Sequence, residues 1–324
     1  MPKVSVIIPV YGVEKYIERC ARSLFEQTID DIEYLFIDDC SPDKSVEILK
    51  HVLEEYPQRK DQVVIHRMEQ NSGQAKVREW GMRNATGEYV IHCDSDDWVD
   101  VRMYEEMYNK AIEEDADVVV CDFYSTDCEN EQYSKGLISK ERENVIADIL
   151  LSRIAGCLWN KLVRRKEYTD HDLNYPTHNM GEDAALIVQI LWNAKRISYL
   201  PEPFYYYYMN QTSITKDVSD DNKIRQRFLQ ATANVEIIEQ FLDGKATGKI
   251  TDALTKYIFE QSYLIVSLAM KNKKDLSIWR RSVGKIRSRV YKCSYLSIKN
   301  KLVFYFLLCK SVISYYGNNS DTLL

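Results

Sequence analysis

Acidic residues gather at a few points in this chain, and they set the first chemical question. Asp94-Ser95-Asp96-Asp97 puts three carboxylates in four positions. Carboxylates this close repel one another, and a bound divalent cation relieves the repulsion; all-oxygen ligands suit Mg²⁺ or Mn²⁺. Asp38-Asp39 is a second pair and Glu182-Asp183 a third. Such a pair could take a proton from a hydroxyl, or could only open a helix with acids at its positive end. Neither a GxxxxGK[ST] loop nor a GxGxxG turn occurs. Their absence excludes a P-loop nucleotidase and argues against a dinucleotide-binding enzyme. The chemistry left in favour is recognition of a metal-bridged diphosphate without a phosphate loop.

These residues need elements to hold them. Short runs rich in Val, Ile and aromatic residues predict strands over 3–10, 33–38, 63–67, 88–93 and 117–123. Helical spacing predicts helices over 13–27, 42–56, 74–85 and 101–114. Ser41 is expected to cap the helix that Pro42 begins. The alternation reads as βαβ units around a parallel sheet. Ligands of open α/β sheets bind at the carboxyl ends of the strands. Pro9-Val10-Tyr11, Asp38-Asp39 and the Asp94 cluster each follow a strand, so they are expected on one rim. One Asp after a strand is commonly a cap or turn former. Three such clusters on one rim call for more.

Beyond residue 125 the rhythm changes. Helices are expected over 141–151 and 181–194, with a strand or turn over 158–167. From 222 onward the pattern is helical, and a boundary is placed near 215–222. The 324 residues are 45% hydrophobic and 28% charged, which excludes a disordered chain, a collagen repeat and a disulfide miniprotein. Eight Cys without a CxxC pair read as reduced thiols of a cytoplasmic protein. No leader peptide is apparent, and the longest apolar run, 302–309, is far short of a membrane span.

Taken in order, VSVIIPVY at 4–11, Phe36-Ile-Asp-Asp39-Cys-Ser41, Asn71-Ser-Gly73, Arg78, Ala85-Thr-Gly-Glu-Tyr89 and Asp94-Ser-Asp96-Asp97 resemble the family-2 glycosyltransferases with the GT-A fold. Trp159-Asn-Lys-Leu162 and Gly181-Glu-Asp183 are similar to its bacterial surface-polysaccharide branch. The resemblance covers about residues 1–215. It implies an α/β, Rossmann-like, mostly parallel sheet with flanking helices, followed by an α-helical C-terminal region. Residues 1–215 would form the catalytic domain, with a nucleotide-binding half at 1–123 and an acceptor half at 124–215; residues 216–324 would form the helical region. The implied activity is inverting, metal-dependent transfer of a hexosyl or related sugar from a nucleotide-sugar, a UDP-sugar by preference, to a saccharide acceptor that is lipid-linked.

The same resemblance assigns residues. Pro9, Val10, Tyr11 and Asp39 would hold the base and ribose, with Asp39 facing a pyrimidine and its neighbour Asp38 structural. Arg78 stands where the family has Ala-Arg-Asn; here the triplet is Val77-Arg78-Glu79. Asp94, with Ser95 beside it, would contact ribose or donor sugar, Asp96 would bind Mn²⁺ or Mg²⁺, and Asp183 would be the general base. Tyrosines 205–208 and the following Met-Asn-Gln-Thr-Ser at 209–213 resemble a family loop that lines the acceptor site or donor phosphates; they read equally as alternating strand residues. His178 reads as a surface loop residue. A nucleotidyltransferase and a nucleotide-binding scaffold without turnover are the alternatives.

The net charge of −6 is unevenly spread: 271–310 carries twelve Lys/Arg against one Asp, leaving the remainder strongly acidic. Leu276, Trp279, Val283, Ile286 and Val290 form a helical stripe with most basic residues off it, followed by the aromatic run at 302–308. This pattern suits peripheral binding to an anionic membrane, at the inner face of the cell membrane. The alternative, less favoured, is a helical subdomain that packs its stripe on the catalytic core and leaves a solvated basic face. No recognition motif supports nucleic acid as a partner.

Overall fold

Strand β1 (Val4–Val10) is apolar but for Ser5, whose buried hydroxyl is hydrogen-bonded to Glu33 and Gly87, because both its faces are covered. The computed structural model describes residues 1–210, 220–246 and 248–316, with side chains as far as 310. β1 pairs in parallel with β2 (Ile32–Asp38) and β4 (Tyr89–His92), and β2 pairs in parallel with β3 (Val63–Arg67). Helices α1 (Ile17–Phe25), α2 (Ser45–Glu54) and α3 (Gln74–Asn84) connect them. Beyond β4 the sheet becomes mixed. After β5 (Trp98–Val99) and α4 (Met103–Glu113), β6 (Val118–Thr126) turns into the hairpin strand β7 (Glu131–Ser134). The chain then runs through α5 (Arg142–Leu150) and returns as β8 (Lys161–Arg164), wedged antiparallel between β4 and β6. After α6 (Lys166–Thr169) and α7 (Glu182–Asn193), β9 (Ile197–Tyr208) runs parallel to β6 and carries β5 on its far side. The strand order is β3-β2-β1-β4-β8-β6-β9-β5, with β7 attached to β6.

The expected fifth strand is therefore present as β6, but it reaches β4 only through β8. The tyrosines at 205–208 are strand residues of β9. The register of β9 slips around Asp122, opposite the Pro201–Pro203 stretch, where missing N–H groups interrupt the ladder. Ser41 does not cap α2, which starts three residues after Pro42, at Ser45. Ser41 Oγ instead accepts from Gly12 N at 2.8 Å and donates to Asp43, so it ties the turn after β2 to the turn after β1.

The chain divides into two compact units, Met1–Ser213 and Ile214–Leu324. The boundary expected near 215 and the end of the acceptor-loop motif, 211–213, lie outside the described residues. Within the second unit, α8 (Asp221–Leu242), α9 (Gly248–Lys271), α10 (Lys273–Val283), α11 (Arg287–Lys292) and α12 (Ile298–Tyr316) form a helical cluster. The stripe Leu276, Trp279, Val283, Ile286 and Val290 is buried in it, although a short 3-10 turn at Gly284–Ile286 divides the run into two helices. Phe304, Leu307 and Leu308 of the aromatic run are buried as well. This stripe serves the unit's own core and is not available to a membrane. Arg225 grips the fully buried Asp275 with two bonds of 2.7 and 2.9 Å, fixing α8 to the start of α10. All eight cysteines are free, and no described helix is long and apolar enough to cross a membrane.

Helix α3, which carries Arg78, lies close on the sheet at Gly81. A methyl there would sit 2.5 Å from Ile7 Cγ2 and 3.2 Å from Ile37 Cδ1. Gly81→Ala gains about 1 kcal/mol of helix propensity, but overpacking a close-packed site costs about 1–3 kcal/mol. Ile7 is fully buried and cannot swing aside, so the clash should win. Thermal melts should show a lowered Tm; a Tm at or above the parent's would mean that the helix and strand separate freely.

Candidate active site

The parallel half of the sheet delivers its acidic residues to one rim. Asp39 N donates to Val10 O at 2.9 Å, joining the ends of β1 and β2. The Asp39 carboxylate is buried and accepts from Ser72 N at 2.7 Å and Gly73 N at 2.8 Å, one bond on each oxygen. Gly73 has φ of +83°, and its missing Cβ would stand 2.7 Å from Asn179 Oδ1. That oxygen also accepts from Ala75 N at 3.2 Å. The loop before α7 thus rests on the first turn of α3. Asp38 is held by Ser41 N and Arg67 and points away from open space. Val10 has its side chain in the core and its carbonyl engaged; Tyr11 is about half exposed.

Arg78 is the centre of the arrangement. Its guanidinium is buried, and three carboxylates surround it: Asp94 Oδ1 at 2.7 Å, Asp183 Oδ1 at 2.9 Å and Glu182 Oε1 at 3.4 Å. The Asp183 contact is an ion pair off the line of a hydrogen bond. Gln74 lies beside both Arg78 and Asp94. One cation therefore joins the end of β4 to the start of α7. Burial pushes the Asp94 carboxyl up to about 6 against the pull of Arg78, with Asp183 and Asp96 adding to the rise. Burial, then Asp183, drives Glu182 well above the usual carboxylate range.

Asp97 has a different role from its neighbours. It is fully buried and accepts from Tyr205 Oη at 2.6 Å and Tyr208 N at 2.7 Å. Tyr205 Oη in turn accepts from Asp94 N at 3.0 Å, and its ring stacks on Trp159 with centroids 4.2 Å apart. Asp97 and β9 thereby brace the turn that presents Asp94, Ser95 and Asp96. Trp159 belongs to the Trp159-Asn-Lys-Leu162 motif, and the rest of that motif is structural too. Asn160 donates to Cys121 O, and the buried Lys161 Nζ binds the carbonyls of Ala155 and Cys157 at 3.0 and 2.9 Å. Asp96 keeps a partly open carboxylate, with Asn210 as a side-chain hydrogen-bond partner and the Arg19 cation near it. Burial raises its affinity for a proton. Its carbonyl accepts from Arg19 at 2.8 Å, and the Arg19 guanidinium lies 3.7 Å over the Trp98 ring.

The structure thus brings Asp39, Arg78, Asp94, Ser95, Asp96 and Asp183 to one end of the sheet. The roles of Glu182, Asn179, Tyr205 and Arg19 needed the fold to be seen; Glu182 adjoins Asp183 and Tyr205 opens the tyrosine run, but neither motif announces what the residue holds. His178 is exposed on its loop. The site gathers more carboxyl groups than Arg78 can neutralise if all are ionised, so a divalent cation at Asp96 fits its electrostatics. Among the described residues no three His, Cys, Asp or Glu converge into a complete ligand set. Such a cation would have to draw its other ligands from water and substrate phosphates, as Mg²⁺ and Mn²⁺ do in open phosphate sites.

This fold is that of the GT-A glycosyltransferases. The family described as Glycosyl transferase family 2 matches residues 5–191, and the chain belongs to it: it is a family-2 glycosyltransferase. It is 32% identical to the putative glycosyltransferase EpsH of Bacillus subtilis, over 89% of this chain and 82% of that protein. It is 27% identical to a cholesterol galactosyltransferase of Borreliella burgdorferi, over 93% and 83%. Among solved structures, a Staphylococcus aureus TarS fragment in complex with UDP-GlcNAc superposes with a TM-score of 0.59 at 17% identity, covering 87% of this chain and 88% of that one. The mannosyltransferase PcManGT of Pyrobaculum calidifontis, in complex with GDP-Man and Mn²⁺, gives a TM-score of 0.55 at 15% identity, over 98% and 82%.

Removing the central cation leaves three carboxylates without their partner. Arg78→Gln should cost about 3–5 kcal/mol of stability, the usual loss when one side of a buried ion pair is removed. Carboxyls whose native pKa is raised lose stability as pH rises from the unfolded pKa through the native one. The deficit in Tm should therefore be larger at about pH 8 than at about pH 5, where the variant's carboxyls hold protons. Melts at the two pH values measure this, and a pH-independent deficit would show that the carboxylates find another counter-charge.

Proposed function

We propose that the protein transfers a hexosyl or related sugar from a UDP-sugar to a saccharide acceptor, with inversion at the anomeric carbon. The observation that carries this reading is the Arg78 knot, which holds the donor-side Asp94 and the acceptor-side Asp183 on one guanidinium. Residues 1–215 act as the catalytic domain, with 1–123 holding the nucleotide and 124–215 receiving the acceptor. Pro9, Val10, Tyr11 and Asp39 bound the base and ribose. Val10 contributes through its backbone position, and Asp39 offers the lone pairs left free by Ser72 and Gly73. Asp94 and Ser95 face ribose or donor sugar.

Asp183 accepts the proton of the acceptor hydroxyl as that oxygen attacks the anomeric carbon. The bond to the diphosphate oxygen breaks on the opposite face, so one displacement inverts the centre, and the nucleoside diphosphate leaves with the bonding pair. Arg78 orients the Asp183 carboxylate throughout. A divalent cation, Mn²⁺ or Mg²⁺, held at Asp96 would offset the charge gathered on the departing diphosphate. UDP-GlcNAc in TarS and Mn²⁺ in PcManGT support the choice of donor and metal. A poly(ribitol-phosphate) β-glucosyltransferase of Bacillus spizizenii among the relatives supports a polymeric, hydroxyl-rich acceptor, which we read as a surface saccharide. We take that acceptor to be lipid-linked, which would bring the enzyme to the cytoplasmic face of the membrane.

Two substitutions separate the roles. Asp183→Asn keeps shape but removes the proton acceptor, so turnover should fall roughly 10²–10⁴-fold while donor affinity holds. Retained turnover would pass the role to another carboxylate. Asp96→Ala should abolish the Mn²⁺-dependent part of UDP binding in calorimetry, and EDTA should do the same to the parent enzyme. UDP binding indifferent to both would remove the metal from this reading.

A further inference from the structure

The buried stripe of the C-terminal unit leaves a second apolar row unexplained. On α12, Ile298, Leu302 and Phe306 follow one another at intervals of four and are 79%, 66% and 59% exposed. This spacing puts them on one face, with Cys309, also exposed, between their directions. Phe304, Leu307 and Leu308 occupy the opposite arc and are buried. Tyr291, 73% exposed, precedes the helix. Lys299 and Lys310 border one side of the outward row and Lys301 the other; no acid occurs between 298 and 310. Nearby Arg280, Arg281, Arg287 and Lys292 are exposed and paired with no carboxylate among the described residues.

A row of large apolar side chains is costly to leave in water. What could cover it is narrowed by its border. A protein groove that accepts an apolar ridge need not be acidic, and nothing here selects one. A sheet of anionic headgroups over hydrocarbon matches both parts at once. The apolar row would enter the headgroup boundary, while Lys299, and Lys301 and Lys310 on release from the carbonyls of Tyr291 and Met270, would reach phosphate.

We propose that the outward face of α12, centred on Ile298, Leu302 and Phe306, docks the protein on the surface of an anionic lipid bilayer. The helix lies in the plane of the interface and does not span it. Of the pattern that the sequence offers for the same purpose, this face keeps only Leu302 and Phe306; the Leu276–Val290 stripe and Phe304, Leu307 and Leu308 are buried. The proposal rests on α12 and its basic border, and is independent of the donor and catalytic roles assigned above.

Co-sedimentation of the full chain with phosphatidylcholine vesicles, with and without phosphatidylglycerol, tests it. The protein should pellet with the mixed vesicles, much less with neutral ones, and less as salt is raised. Leu302→Gln with Phe306→Gln changes two mostly exposed side chains, so the protein should keep its fold by circular dichroism. Its partition should drop by about tenfold or more, given what burying two such side chains is worth. Leu229→Gln, an exposed leucine on α8, should change nothing. Equal pelleting with both vesicle types, or an unchanged L302Q/F306Q partition, would overturn the proposal. So would a parent that is dimeric by light scattering and becomes monomeric in L302Q/F306Q without pelleting in either form; the row would then be a contact between two copies. Hydrolysis of UDP-sugar in solution, measured on the same variants, reports separately on the catalytic reading and should not change.

Discussion

A guanidinium with almost no access to water must be surrounded by charge, and Arg78 is surrounded by three carboxylates from two distant parts of the chain. Isolated, each of these ions would cost several kcal/mol to bury. Together they tolerate burial only in one geometry, with the end of β4 and the start of α7 both brought against α3. The rest of the rim depends on that constraint. Gly81 lets α3 lie close on β1 and β2, Asn179 secures the loop that leads to α7, and Tyr205 with Asp97 holds the turn after β4. The excess of negative charge over Arg78 remains as the property a ligand must satisfy.

The clustered acids divide their work by burial. Sequence alone presents Asp94, Asp96 and Asp97 as equals in one cluster. In the fold, Asp94 is committed to Arg78 and Asp97 to the β9 backbone and Tyr205, so of the three Asp96 keeps the most open carboxylate, with Asn210 beside it. A cation held by one protein carboxylate would bind weakly until substrate oxygens joined it. Metal and nucleotide-sugar would then assemble together, which keeps an otherwise exposed cation from binding unproductively.

What the sequence shows and what it hides follow from range. β1, β2 and β4 are legible because a two-face-buried strand is a local run of Val, Ile and aromatics, and Asp39 and Asp94 are legible because each closes such a run. The insertion of β8 between β4 and β6 is not legible: four residues, Lys161–Arg164, carry too little pattern to declare a direction. The hairpin strand β7 is polar and exposed, so it lacks the alternation that marks a half-buried strand. Asp97 and Tyr205 are 108 positions apart, and nothing local in either segment points to the other. The supposed cap at Ser41 failed for a related reason: its hydroxyl found a partner in Gly12, across the sheet, before the helix began.

The basic C-terminal unit shows how one composition can serve two surfaces. Periodicity reports that a stripe is apolar; it does not report which of several stripes faces a neighbour. Leu276 through Val290 repeat at ideal spacing, and that regularity is what let α10 and α11 build a core with α9 and α12. Helix α12 has low contrast between its faces because it carries apolar residues on two of them. One face is satisfied inside the unit by Phe304 and Leu307. The other, ending in Phe306, is exposed among the described residues, and Lys299, Lys301 and Lys310, which repel one another, flank it. Charge and apolarity kept together at that cost are best accounted for by a surface that is itself both anionic and apolar.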